Sequence, residues 1–195
     1  LCNAAAVYTQ NLVCGAPVTV TKQNLADGKA RAVVCNSGIA NTCNADGVEK
    51  ARGMCEITAK ALGIAPTDVI VASTGVIGQP LDLSPVEQGM PQLIGELSKA
   101  GSDHAAQAIM TTDTRTKEFA LTFMLGGKGC TIGAISKGSG MIHPNMATML
   151  CFITTDVAIS TPMLQKALSA AVADSFNMLS IDGDTSTNYM ACILP

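Results

Sequence analysis

The stretch Ser136-Lys137-Gly138-Ser139-Gly140-Met141-Ile142-His143-Pro144-Asn145-Met146-Ala147-Thr148-Met149-Leu150 runs directly into the apolar segment Cys151-Phe152-Ile153. Its glycines and proline argue a turn-rich loop, and the apolar run from Met149 to Ile153 argues a buried strand. The small residue Ala147 stands directly before Thr148, at the mouth of that strand. A threonine delivered there by a loop has the position of a self-processing nucleophile. On spacing alone the plainer reading is the better supported: a loop feeding a core strand, with an incidental threonine.

The 195 residues suffice for one full core, and 48% hydrophobic against 14% charged residues mark a globular, well-buried chain. Aromatic residues make up only 3% and tryptophan is absent, so the core must be aliphatic. The formal charge of −3 gives no basic footprint for nucleic acid and no polybasic membrane patch. No run approaches the roughly 20 apolar residues of a membrane span, no signal peptide is visible, and the expected location is cytoplasmic. The eight cysteines are never spaced C-x-x-C, and Cys35 and Cys151 sit inside apolar runs, as reduced buried thiols do. With only His104 and His143 beside them, the ligand spacing of a metal site is missing, and no metal is expected. Because Leu1 stands where Met would open a chain, and the last residues read as a strand, the segment is expected to be a partial chain, incomplete at its C-terminus.

Outward from the opening stretch, residues 4–9 and 17–22 read as short strands, the second by strict alternation. Residues 31–35 and 68–72 read as buried strands, and 48–62 as a helix stopped by Gly63. The strand 68–72 empties into Ser73-Thr74-Gly75-Val76-Ile77-Gly78, a turn that sets backbone N–H groups and hydroxyls at a sheet edge. An ordinary strand-to-helix turn fits that pattern equally well. Ser84 reads as a helix cap with Pro85 in the first position and Glu87 closing a capping box; Pro91 should then kink or restart that helix. A short helix over about 103–110 and a hairpin of 118–125 with 130–136 around Gly126-Gly127-Lys128-Gly129 follow. After Thr148 come a strand to about Thr154, a helix capped by Thr161, and the turn-forming Asp182-Gly183-Asp184-Thr185-Ser186-Thr187-Asn188. Strands and helices mingle without a strict βαβ rhythm, so the class is mixed α/β or α+β.

Four segments, taken together and in order, resemble one family: Ala72 to Gly78, Met110-Thr111-Thr112-Asp113-Thr114, Lys137 to Leu150, and Asp182 to Asn188. The family is the bifunctional ornithine acetyltransferase, or glutamate N-acetyltransferase, of arginine biosynthesis. The resemblance implies its self-processing N-terminal-threonine nucleophile fold. It also implies cleavage at Ala147–Thr148, giving an α region of residues 1–147 and the start of a β region, 148–195, within one structural unit. Cleavage would free a Thr148 α-amine, of reference pKa about 7.7–8.0, to act as base for its own hydroxyl. The implied reaction is ping-pong transfer of acetyl from N-acetylornithine to glutamate through acetylated Thr148.

By the same motif match Thr74 and Gly75 form the oxyanion hole, and Thr111 and Lys137 bind substrate together with Thr148. The family needs no cofactor; acetyl-CoA is a co-substrate in its bifunctional members, and self-cleaved chains commonly assemble as α2β2. The chain departs from the family pattern at Ile39, where Asn is usual, and at Tyr189, where Asp is usual. The rival readings are an amidase or aminopeptidase of the same fold, with water as acceptor, and an inactive truncated homologue.

Overall fold

The structure is a computed structural model and describes residues 1–141 and 149–195. Its first half runs β1 (Cys2–Asn3), β2 (Ala5–Tyr8), α1 (Ala16–Asn24), β3 (Lys29–Ala30), β4 (Ala32–Asn36), α2 (Gly47–Leu62) and β5 (Val69–Ser73). The rest runs α3 (Ser84–Gly95), α4 (Ser102–Ala108), β6 (Lys117–Leu125), β7 (Lys128–Lys137), β8 (Leu150–Thr155), α5 (Thr161–Ala173) and β9 (Met190–Leu194). Five strands form one sheet in the order β2-β9-β8-β7-β6, in which only β8 and β9 are parallel. A separate parallel pair joins β4 to β5, and a short antiparallel pair joins β1 to β3.

Successive residues of a strand face opposite ways, and burial follows that alternation. Ala5, Cys151, Ala191 and Ile193 pack against Leu164, Leu168 and Val172 of α5. Ala6, Leu150, Met190 and Cys192 cluster instead with Ile70 and Ala72 of β5. The alternate β5 residues, Val69 and Val71, pack with Val20 of α1 and with Ala51, Met54, Cys55 and Ala59 of α2. The result is four layers: helix, five-stranded sheet, parallel pair, helices. Each fully buried aliphatic side chain at these contacts contributes roughly 1.5–3 kcal/mol, which suits a core with almost no aromatic residues.

Most strands and helices stand where the sequence places them, and four details differ. Residues 17–22 belong to α1, not to a strand. Pro17 sits in the first turn after Gly15, and both Val18 and Val20 are buried although they are two apart. Thr21 explains the choice: its Oγ1 donates to Val71 O at 2.7 Å and accepts from Val71 N at 2.9 Å. Asn24 Nδ2 likewise donates to Val69 O at 2.8 Å. Side chains of α1 thus satisfy the unpaired edge of β5, and that tertiary gain overrides a β-branched local preference.

The start of α3 is held by Asp82, whose Oδ1 accepts from Ser84 N at 3.0 Å and Ser84 Oγ at 2.8 Å, so Ser84 is the first helical residue and not the cap. Pro91 lies inside α3 without ending it. Glu87, whose carbonyl loses its partner four residues on, is exposed and can be hydrated. At the α5 start Ser160 takes the flanking position, and Thr161 Oγ1 donates to Gly28 O at 3.0 Å. The β6–β7 hairpin turns in two residues, Gly126 and Gly127 at φ 58° and 78°, the left-handed pair that a tight hairpin turn requires. All eight cysteines are free thiols.

Candidate active site

The cleft forms beyond the carboxyl ends of the parallel pair, where Asn36 and Ser73 are the last residues in register. That is where open α/β sheets offer turns with free backbone groups. Beyond it the chain continues as Ser37-Gly38 on one side and Thr74-Gly75 on the other. Thr74 N donates to Asn36 O at 2.8 Å and Val76 N to Gly38 O at 3.1 Å, so the two amides flanking Gly75 are both occupied. Ala40 N donates to Val76 O at 2.8 Å, which pairs the two turns again one step further out. Gly75 has φ 120°, and a Cβ there would lie 2.1 Å from Gly38 O. Only glycine fits this approach.

Lys137, the last residue of β7, is buried beside the turn. Its Nζ donates to Thr74 Oγ1 at 3.1 Å and to Thr111 Oγ1 at 2.7 Å. Because Thr74 Oγ1 accepts this bond, its own proton is left to be donated elsewhere. Burial lowers the Lys137 ammonium below the ordinary lysine range, while Asp113 acts to raise it and Lys117 to lower it. Cys35, the neighbouring nucleophile, is pushed up to about 12 by burial against the pull of Lys137, so it stays a thiol near neutral pH.

The cleft has a volume of about 700 Å³ and is walled by Gly38, Thr74, Gly75, Thr111, Lys137, Gly140, Met141 and the run Ser186-Thr187-Asn188. Thus Thr74, Gly75, Thr111 and Lys137, singled out from separate motifs, come together. Ala147 and Thr148 lie outside the described residues. On their two sides, Gly140 and Met141 wall the cleft, while Met149 is buried and its carbonyl accepts from Met190 N at 3.1 Å.

Two residues that sequence reasoning left unassigned organise this cleft. Asp113 Oδ1 accepts from Gly138 N at 2.8 Å and pairs with Lys117 Nζ; its Oδ2 accepts from Thr111 N at 3.3 Å. Burial pulls the Asp113 carboxyl up, but these three bonds outweigh it and hold it below the usual carboxylate range. Asn188 is buried with its amide fully used. Nδ2 donates to Ala40 O at 2.6 Å and Ser73 O at 3.0 Å, while Oδ1 accepts from Thr42 Oγ1 at 2.5 Å and Thr187 Oγ1 at 2.6 Å. Both residues stand within the motifs quoted above; an acid set among the hydroxyls of 111–114 was the one visible signal. Among the described residues no cluster of His, Cys, Asp or Glu could hold a metal ion, and no helix is long and apolar enough to cross a membrane.

Four layers with small-polar turns at the ends of an inner strand pair define the class, a mixed α/β fold. The profile of the ArgJ family covers residues 1–195, and the chain belongs to that family. It is 52% identical over 194 residues to the arginine biosynthesis bifunctional protein ArgJ of Symbiobacterium thermophilum, matching 99% of this chain and 48% of that protein. The chain therefore spans about half the length of the curated relatives it matches. The crystal structure of the bifunctional protein ArgJ from Bacillus halodurans superposes with a TM-score of 0.66 at 40% identity, covering 73% of this chain and 75% of that one. Ornithine acetyltransferase from Mycobacterium tuberculosis, solved in complex with ornithine, gives a TM-score of 0.64 at 35% identity and covers 73% and 77% of the two chains.

Proposed function

We propose that this segment carries the nucleophile, the oxyanion hole and part of the substrate pocket of an acetyltransferase of arginine biosynthesis. The carrying observation is the pair of bonds from Lys137 Nζ to Thr74 Oγ1 and Thr111 Oγ1 at the cleft. Family membership over the whole segment supports the reaction class, and a relative bound to ornithine supports an amino-acid ligand.

The Thr148 hydroxyl first attacks the Ala147 carbonyl. The peptide C–N bond breaks as the acyl group moves to oxygen, and water hydrolyses the ester. Ala147 is left with a carboxylate and Thr148 with a free α-amine. The new amine then takes the hydroxyl proton as the oxygen attacks the acetyl carbonyl of N-acetylornithine. Thr74 Oγ–H and the Gly75 N–H stabilise the tetrahedral oxyanion; such a donor is worth about 10²–10³ in rate. The ornithine nitrogen leaves with a proton, and the glutamate amine attacks the acetyl-threonine ester to complete the exchange. Lys137, with two of its three N–H groups on hydroxyls, offers the third to a substrate α-carboxylate, and Thr111 orients it. Acetyl-CoA as a second donor, α2β2 assembly and a cytoplasmic location belong to the same proposal.

Intact mass spectrometry tests the first step. The protein should resolve on incubation into two species, the second beginning at Thr148, and Thr148→Ala should remain whole. Fragments from Thr148→Ala would remove the nucleophile assignment. In the full-length protein, N-acetylornithine with glutamate should give acetylglutamate; free acetate in its place would identify a hydrolase.

A further inference from the structure

Asp113 does not itself line the cleft, yet it brackets the lysine that does. Its side chain has no solvent exposure, whereas its ion-pair partner Lys117 is 39% exposed. One carboxylate oxygen accepts from Gly138 N, the amide immediately after Lys137. The other accepts from Thr111 N, and the Thr111 hydroxyl in turn accepts from Lys137 Nζ. Lys137 is therefore fixed through its own chain at one end and through its hydrogen-bond partner at the other, both by one carboxylate. Among the described residues, the direct partners of the Lys137 ammonium are neutral hydroxyls, so no carboxylate contact offsets its burial.

We propose that Asp113 is the positioning residue of this site, the buried counter-charge that sets Lys137 and Thr111 in place and supports the Lys137 ammonium. The proposal deepens the reading of Lys137 as the carboxylate-binding group and rests on it. The charged and titratable groups that bear on Lys137 are Asp113 from the loop before β6, Lys117 at the start of β6, and Cys35 on β4. Burial and Lys117 disfavour the ammonium; Asp113 favours it, and Cys35, held as a neutral thiol, adds no charge. The ammonium exists below the Lys137 pKa and is lost as pH rises through it. Removing the Asp113 charge therefore moves that loss to lower pH, toward the range in which the enzyme must work.

The test is a pH titration of the lysine side-chain carbons by NMR, with the Lys137 signal assigned by Lys137→Arg. It needs no catalytic activity, so a failed acetyl-transfer assay leaves it intact. In Asp113→Asn the Lys137 proton affinity should fall about tenfold or more, a change of one pKa step, and Asp113→Glu should restore most of it. Lys117→Met removes a half-exposed like charge and frees Asp113 to act on Lys137 alone; the Lys137 affinity should rise. This second variant keeps the question open to measurement if Asp113→Asn fails to fold. An unchanged Lys137 midpoint in Asp113→Asn, or in Lys117→Met, overturns the proposal and leaves Asp113 a loop anchor only. In the full-length enzyme the alkaline limb of kcat/KM should move to lower pH in Asp113→Asn, with KM changing more than kcat.

Discussion

At Gly75 a single missing atom decides the geometry of the cleft. A methyl group would meet the Gly38 carbonyl at 2.1 Å on a backbone that L-residues rarely adopt, so Gly75→Ala must push the two turns apart. Thr74 and its neighbours would then move away from Lys137. Self-cleavage in Gly75→Ala should slow by about 10²-fold, the scale of a lost oxyanion donor, with the far-ultraviolet circular dichroism retained. A rate equal to the parent's would show that this turn does not hold the oxyanion. The turn at Thr74-Gly75 was legible as a strand emptying into a small-polar, glycine-containing loop, whereas Thr111 and Lys137 were singled out by the family resemblance alone. Asn188 was not assignable, because its meaning lies in partners far away in the chain, such as Ser73 O, and for Asp113 the bond from Gly138 N, 25 residues on, is the one that ties it to Lys137. No spacing rule reports such contacts.

Element by element, the chain was readable wherever burial follows the local period. β5 is a continuous apolar run and is buried at every position. Residues 17–22 misled because alternation of Val18 and Val20 also fits a helix that buries a broad face. What separates the two outcomes is Thr21, whose hydroxyl replaces a neighbouring strand at the β5 edge by bonding both backbone groups of Val71. Thr21→Val keeps the shape and removes both bonds, leaving a buried N–H and a buried C=O without partners. The expected cost is about 1–3 kcal/mol for each unsatisfied group, read as a lower urea midpoint at an unchanged slope. A midpoint within error of the parent's would mean that water or a backbone shift replaces the threonine, and that α1 is held by its apolar contacts alone.

Across the whole molecule the Ala147–Thr148 bond divides the sequence but not the fold. β8 and β9 follow that bond and stand in the middle of the five-stranded sheet, with β7 on one side and β2 on the other. Lys137 pairs with Leu150 and Ala5 with Ile193, so both outer seams join residues from before the bond to residues after it. α5 covers the same sheet, and Asn188 ties the later segment to Ala40 O and Ser73 O beside the cleft. A cut at 147–148 therefore removes one covalent bond and no part of the interleaved core. After self-cleavage the two pieces should elute together in native size-exclusion chromatography and separate only in denaturant. Asn188→Ala leaves two buried carbonyls and two hydroxyls short of a partner. It should lower the denaturant concentration at which the cut pieces part, by more than it lowers the unfolding midpoint of the uncut Thr148→Ala chain with the same change. In the uncut chain the covalent link still holds the ends together, which limits the freedom gained on opening. Pieces that part in native buffer would refute the interleaved sheet order itself, because no two-chain version of β2-β9-β8-β7-β6 can come apart without breaking both seams.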